Sequence, residues 1–102
     1  MSRIKMGQLS GLKPGRAYEK KILARRIAVF NHQGKLIALE GDCKHMRASL
    51  AQSGVSEGII TCDWHGWQYD VTTGECLTDK NICLKRFEVE IEGDDIYVVL
   101  PE

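Results

Sequence analysis

The stretch Phe87-Glu88-Val89-Glu90-Ile91-Glu92-Gly93-Asp94-Asp95-Ile96-Tyr97-Val98-Val99-Leu100 alternates apolar and acidic side chains, turns at Gly93-Asp94-Asp95, and resumes as a β-branched and aromatic run. A period of two places Phe87, Val89 and Ile91 on one face and the three glutamates on the other, so the segment reads as an antiparallel hairpin with one buried face. A second hairpin is signalled by residues 26–30 and 36–40 on either side of Asn31-His32-Gln33-Gly34-Lys35, where Gly34 can supply the positive φ that such turns require. His32 falls in that turn and is expected to face solvent. Further out, Leu12-Lys13-Pro14-Gly15 separates an opening strand near residues 4–8 from another near 17–23. No window shows a sustained 3.6-residue apolar period, and β-branched and aromatic residues concentrate in these short segments. The fold class is all-β, a small sandwich or barrel.

The chain has 102 residues, 14 basic and 14 acidic, with a hydrophobic fraction of 43%. That is one globular domain over residues 1–102, with a thin core in which a bound metal would add stability. Apolar runs such as 27–30 and 96–100 fall far short of the ~20 residues a membrane helix needs, and no apolar segment follows the first five residues. A cytoplasmic protein with no membrane partner is expected. Net neutrality argues against nucleic acid as the main ligand. The first 30 residues hold eight Lys/Arg against Glu19 alone, while residues 88–102 hold six acids and no base. This asymmetry suggests either a molecular dipole that steers a charged redox partner or, more simply, solvated strand faces at Lys20, Lys21, Arg25 and Arg26.

The middle of the chain, about 41–81, departs from the strand pattern. Cys43-Lys44-His45 is followed, after sixteen intervening residues, by Cys62-Asp63-Trp64-His65. Two Cys–His pairs on tight loops can turn inward together and offer two thiolates and two imidazoles to one centre. Gly41 and Gly66 give the backbone room to bend beside each pair. The residues alone leave three readings open: four side chains with no metal, a tetrahedral zinc site, and a two-iron, two-sulfide cluster with Cys43 and Cys62 on one iron and His45 and His65 on the other. Structural zinc motifs usually space paired ligands more widely within each half, which favours the third. In that reading neutral imidazoles replace two thiolates, so the potential lies above that of a four-cysteine cluster. With every ligand position filled, no site remains for a substrate, and the chemistry is electron transfer instead of catalysis.

At these residues the sequence resembles the Rieske-type ferredoxins, whose pattern is Cys-x-His, a spacer of this order, then Cys-x-x-His. The resemblance runs nearly end to end. It takes in Leu12-Lys13-Pro14-Gly15, Leu50 and Gly54, His65-Gly66-Trp67-Gln68-Tyr69-Asp70, Thr73-Gly74, Leu84-Lys85-Arg86-Phe87-Glu88-Val89 and Ile96-Tyr97-Val98. It implies a Rieske-type iron-sulfur domain of stacked antiparallel sheets with a small cluster-binding subdomain at one tip. It also implies one [2Fe-2S] cluster on Cys43, His45, Cys62 and His65, with Tyr69 near a ligand sulfur.

High-potential members link their two loops by a disulfide, at positions that read Ala48 and Trp64 here, and place a Ser where this chain has Trp67. The resemblance therefore implies the low-potential, ferredoxin end of the family. Asp63 stands where proline is often found and Arg47 where a small residue is common, so Arg47, Trp67 and Tyr69 are expected to tune the cluster. Met46, Arg47, Trp64 and Trp67 are expected to form the docking surface around the outward imidazole edges, although Trp64 and Trp67 could equally be core.

The implied function is a monomeric electron carrier, not an enzyme, that shuttles single electrons from a flavoprotein ferredoxin reductase to a terminal oxygenase or other acceptor. Two other expectations stand beside it: a small Rieske subunit of a nitrite reductase-like enzyme, and a zinc-stabilised binding module. Cys76 and Cys83, seven apart, are expected to be two semi-buried thiols without a role.

Overall fold

The computed structural model describes residues 2–22, 25–42, 49–63 and 66–100. Among the described residues, eight strands account for the regular structure apart from one 3-10 turn at Leu9–Gly11: β1 (Ser2–Gln8), β2 (Ala17–Ile22), β3 (Arg25–His32), β4 (Lys35–Glu40), β5 (Ile59–Thr61), β6 (Gln68–Asp70), β7 (Arg86–Glu92) and β8 (Asp95–Leu100). Six of them form one antiparallel sheet in the order β1-β8-β7-β4-β3-β2, and β5 and β6 pair as a separate hairpin. The all-β expectation holds. No helix among the described residues is long and apolar enough to cross a membrane.

The large sheet is two three-stranded halves joined by a short β4–β7 seam, where only Ala38↔Phe87 and Leu39↔Arg86 are in register. Its outer strands curl toward each other. Lys20 Nζ donates to the Lys5 carbonyl at 3.0 Å and the Tyr18 hydroxyl donates to the Gln8 carbonyl at 2.8 Å, so side chains instead of ladder bonds close β1 against β2.

Strands β3 and β4 are buried on both faces, which explains why residues 27–30 read as an unbroken apolar run instead of an alternation. Ile27, Val29 and Ala38 join Leu12, Phe87, Ile96 and Val98 in the core inside the curled sheet. Ala28, Phe30, Ile37 and Leu39 face the other way, into a second core shared with Leu50, Ile60, Cys62, Tyr69, Val71, Cys76 and Leu84. This second core seats the β5–β6 hairpin and the segment around Leu50 on the outside of the sheet.

Both predicted hairpins form, with tighter turns than the sequence suggests. His32 pairs with Lys35, leaving Gln33-Gly34 as a two-residue turn in which both residues have positive φ, 54° and 90°. The buried Asn31 side chain locks it, accepting from the Gly34 amide at 2.8 Å and donating to the Leu12 carbonyl at 2.8 Å. His32 is half-buried over Gly58 instead of facing solvent, because loop 56–58 folds back against β3. In the closing hairpin Asp95 already belongs to β8, and Ile91 is 49% exposed, since the curled sheet leaves the far end of β7 uncovered.

The expected dipole is partly cancelled by topology. Because β1 lies beside β8, Arg3 reaches Glu92 at 2.7 Å and Glu90 at 3.2 Å, and Lys5 reaches Asp95 at 3.2 Å. The basic amino end and the acidic carboxyl end neutralise one another across the sheet.

Candidate metal centre

The second Cys–His pair is presented by the β5–β6 hairpin. Ile59, Ile60 and Thr61 pair with Asp70, Tyr69 and Gln68, and the Cys62 amide closes the hairpin loop by donating to the Trp67 carbonyl at 2.7 Å. Gly66 turns this loop with φ 70°. Cys62 is 1% exposed and packs in the second core, while its neighbour Asp63 is exposed. A thiol held out of water at the root of a short loop is well placed to serve as a metal ligand.

The first pair lies between two anchored ends. Gly41 donates to the Arg26 carbonyl at 2.9 Å and accepts from the Leu50 amide at 2.9 Å, and Asp42 and Ser49 face each other in an isolated antiparallel bridge. The chain therefore departs for residues 43–48 and returns at one point on the sheet. Gly41 is there for close packing instead of for bending, since a Cβ on it would lie 3.2 Å from Arg26 Cβ and 3.4 Å from Ala28 Cβ. Leu50, the first fully buried residue after the loop, shares its core with Cys62. That common core brings the roots of the two ligand loops onto one platform.

Of the predicted site residues, Cys43, His45, Met46, Arg47, Ala48, Trp64 and His65 lie outside the described residues. Tyr69 is fully buried on β6, paired with Ile60 and bridged to Cys76. Trp67 is half-buried, with part of its surface packed on the second core, so it seals the hairpin and also remains accessible. Of the four expected ligands only Cys62 lies among the described residues, and its buried thiol, which is of the type that holds iron–sulfur clusters, shares a core with the Tyr69 phenol.

Cys76 and Cys83 separate into different environments. Cys76 is buried and accepts from the Asp79 amide at 3.3 Å, whereas Cys83 is exposed, and both are free thiols. The expectation of two semi-buried thiols is corrected accordingly. Sequence reading also missed a polar network at the first loop: Arg26, expected on a solvated strand face, pairs with Glu19 at 3.2 Å and Asp42 at 2.8 Å, and Ser49 donates to Glu19 at 2.8 Å. The diagonal relation of Glu19 and Arg26 across β2 and β3 was the available signal, because Glu19 pairs with Ala28, two residues from Arg26.

After β6 the chain turns through Asp70, whose carboxylate accepts from the Thr72 hydroxyl at 2.6 Å and the Thr72 amide at 2.8 Å. The Thr72 hydroxyl, then its amide, hold the Asp70 pKa below the ordinary carboxylate value. A depressed folded-state pKa contributes stability that is complete above the unfolded value of about 3.9 and is lost as pH falls through the folded value. Asp70→Asn is therefore expected to destabilise the protein at pH 7, with the difference from wild type shrinking below about pH 4. Denaturant unfolding of both proteins across that range checks it, and a difference that stays constant with pH would contradict the assignment.

The model of the Rieske [2Fe-2S] domain family matches residues 2–99. The ferredoxin component of an alkene monooxygenase system from Xanthobacter autotrophicus is 30% identical over 73 residues, covering 71% of this chain and 60% of that protein. The chain thus spans under two thirds of that relative's length. The ferredoxin subunit of a biphenyl dioxygenase from a Pseudomonas species is 32% identical over 88 residues, covering 83% of this chain and 80% of that protein. Among solved structures, a chain in a complex of reduced oxygenase and oxidized ferredoxin of carbazole 1,9a-dioxygenase superposes with a TM-score of 0.85 at 28% identity, covering 94% of this chain and 91% of that one. A small-subunit nitrite reductase structure superposes with a TM-score of 0.77 at 19% identity, covering 98% of this chain and 100% of that one, a likeness of fold alone.

Proposed function

Since the chain belongs to the Rieske [2Fe-2S] domain family, we propose that it is a monomeric, cytoplasmic ferredoxin that passes single electrons from a flavoprotein reductase to a terminal oxygenase. Cys43, His45, Cys62 and His65 hold the cluster in this reading. The observation that carries it is the burial of Cys62 in the core that also anchors Leu50, at the foot of the other ligand loop. When bound, the cluster supplies a one-electron couple with no open coordination position for a substrate.

The residues around it manage water and approach. Cys62 and Tyr69 lie out of solvent, and Trp67 covers the hairpin between them. Leu77 is an apolar side chain 49% exposed, and its amide donates at 2.7 Å to the carbonyl of Gln68, the residue after Trp67. A redox partner docking there, with Met46, Arg47 and Trp64 completing the surface, approaches the ligand histidines closely. Arg47 also adds a positive charge near the cluster, which favours the reduced state. The free thiols Cys76 and Cys83 suit a reducing compartment.

Arg47→Glu is expected to slow electron transfer from the cognate reductase, or delivery to the acceptor, by about tenfold at low salt while the cluster colour is kept. Replacing Lys20 and Lys21 together is expected to change the rate less than twofold, roughly the scale of an exposed charge away from the contact. Stopped-flow transfer rates measure both. A response to Lys20 and Lys21 with none to Arg47 would move the docking face onto the β framework.

A further inference from the structure

The segment that carries the first Cys–His pair runs between Asp42 and Ser49, and side chains tie Asp42 to β3 and Ser49 to β2. Arg26 on β3 places Nη1 2.8 Å from Asp42 Oδ1 and Nε 3.2 Å from Glu19 Oε1 on β2. Ser49 Oγ donates to that same Glu19 oxygen at 2.8 Å. The bridge between Asp42 and Ser49 completes a ring of four residues. Beneath it, the Gly41 amide bonds the Arg26 carbonyl at 2.9 Å, and the absence of a Cβ on Gly41 lets the loop root lie against the Arg26 stem.

We propose that Glu19, Arg26, Asp42 and Ser49 form a collar that fixes the neck of the first ligand loop to the β framework, with Arg26 as its positioning residue. The proposal rests on the reading of Cys43 and His45 as cluster ligands. Two consequences follow from the chemistry. An ion-pair network holds several groups once one side chain is ordered, and its members here are partly shielded: the side chains of Arg26, Glu19 and Asp42 are 33%, 27% and 19% exposed. It therefore contributes more than an isolated surface pair. In addition, Asp42 adjoins Cys43, so its carboxylate would oppose reduction of a nearby cluster unless a cation compensates it, and Arg26 supplies that cation.

Arg26→Gln removes the charge and the ion pairs to Glu19 and Asp42. The expected result is cluster loss about tenfold faster under a chelator, followed by visible absorbance, together with a lower reduction potential by direct voltammetry. Arg26→Lys, which restores the charge without the fork, is expected to recover the potential more fully than the cluster lifetime. Lys20→Gln removes the same formal charge from neighbouring β2 and is expected to leave both readouts unchanged. In the cluster-free proteins, trypsin cleavage after Lys44 or Arg47 is expected to be faster in Arg26→Gln than in wild type, a readout independent of any cluster. Should Arg26→Gln fail to fold, Ser49→Ala removes a single collar bond and is expected to shorten the cluster lifetime and speed that cleavage in the same direction.

Wild-type protein that holds no two-iron, two-sulfide cluster would defeat the ligand reading. A normal wild-type cluster combined with unchanged lifetime, potential and proteolysis in Arg26→Gln would defeat the collar alone. A potential that shifts equally in Lys20→Gln would reduce the effect of Arg26 to bulk charge and overturn its positioning role.

Discussion

Alanine in place of Cys43, His45, Cys62 or His65, one at a time, is expected to give colourless protein in which iron and acid-labile sulfide fall from two of each per chain to nearly none. Each iron of such a cluster takes two protein ligands, so the loss of one leaves a coordination position that the loop cannot fill. The change reaches stability as well, because a group that binds only the folded chain adds its binding energy to folding. A loss of about 2 kcal/mol in a domain of this size lowers the Tm by roughly 10 °C. Cys83→Ser, at an exposed thiol, and Cys76→Ser, in the core, are expected to keep both iron and sulfide. Cys76→Ser carries a cost of about 1 kcal/mol for the buried hydroxyl. Iron analysis and visible spectra decide the matter: zinc in place of iron, or cluster loss in either serine variant, would contradict the ligand assignment.

Gly74→Ala is expected to be among the most damaging single substitutions away from the two Cys–His loops. Gly74 has φ +83°, its amide donates to the Asp70 carbonyl at 2.7 Å, and its carbonyl accepts from the Leu84 amide at 2.7 Å. A Cβ there would lie 2.5 Å from the Leu84 carbonyl oxygen and 3.5 Å from Leu39 Cδ2. The Leu84 oxygen is backbone and cannot yield cheaply, whereas the approach to Leu39 is ordinary van der Waals contact. Left-handed strain and overpacking together cost on the order of 4 kcal/mol, equivalent to a Tm loss of roughly 20 °C. Gly34→Ala isolates the first contribution, because Gly34 has φ +90° and no atom within 4 Å of the added Cβ. Its cost is expected to be about 1 kcal/mol. Thermal unfolding of the two variants separates the effects, and equal shifts would show that the contact with Leu84 is relieved by relaxation.

Much of the fold was readable because its patterns are local. The alternation of Phe87, Val89 and Ile91 with three glutamates marks a strand wet on one side, and Asn31-His32-Gln33-Gly34-Lys35 carries the chemistry of a tight turn. The β5–β6 hairpin escaped notice because each strand has three residues, and Cys62 through Gly66 interrupt any period. The β-branched run Ile59-Ile60-Thr61 was its only local trace. Features that depend on distant pairing were not legible. The charge asymmetry leaves a dipole and solvated strand faces both open, whereas the pairing of β1 with β8 brings Arg3 and Lys5 to Glu90, Glu92 and Asp95.

The site divides in the same way. Cys–His spacing is a property of the chain and points to the proposed ligands, and the family comparison agrees with the type of cluster they imply. The collar is a property of the assembled sheet. Glu19, Arg26, Asp42 and Ser49 are spread over thirty-one residues of sequence, and each alone reads as an ordinary surface polar group. Cys76 and Cys83 likewise look equivalent until the second core takes one and leaves the other outside.

Pulsed electron paramagnetic resonance on the dithionite-reduced protein tests the central claim most directly, because it reads which nuclei touch the unpaired electron. If His45 and His65 bind one iron and Cys43 and Cys62 the other, the reduced protein will show strong coupling to two imidazole nitrogens, and His45→Cys or His65→Cys will retain at most one. A reduced cluster with no strongly coupled nitrogen, or a protein with no paramagnetic signal after full reduction, would contradict the account.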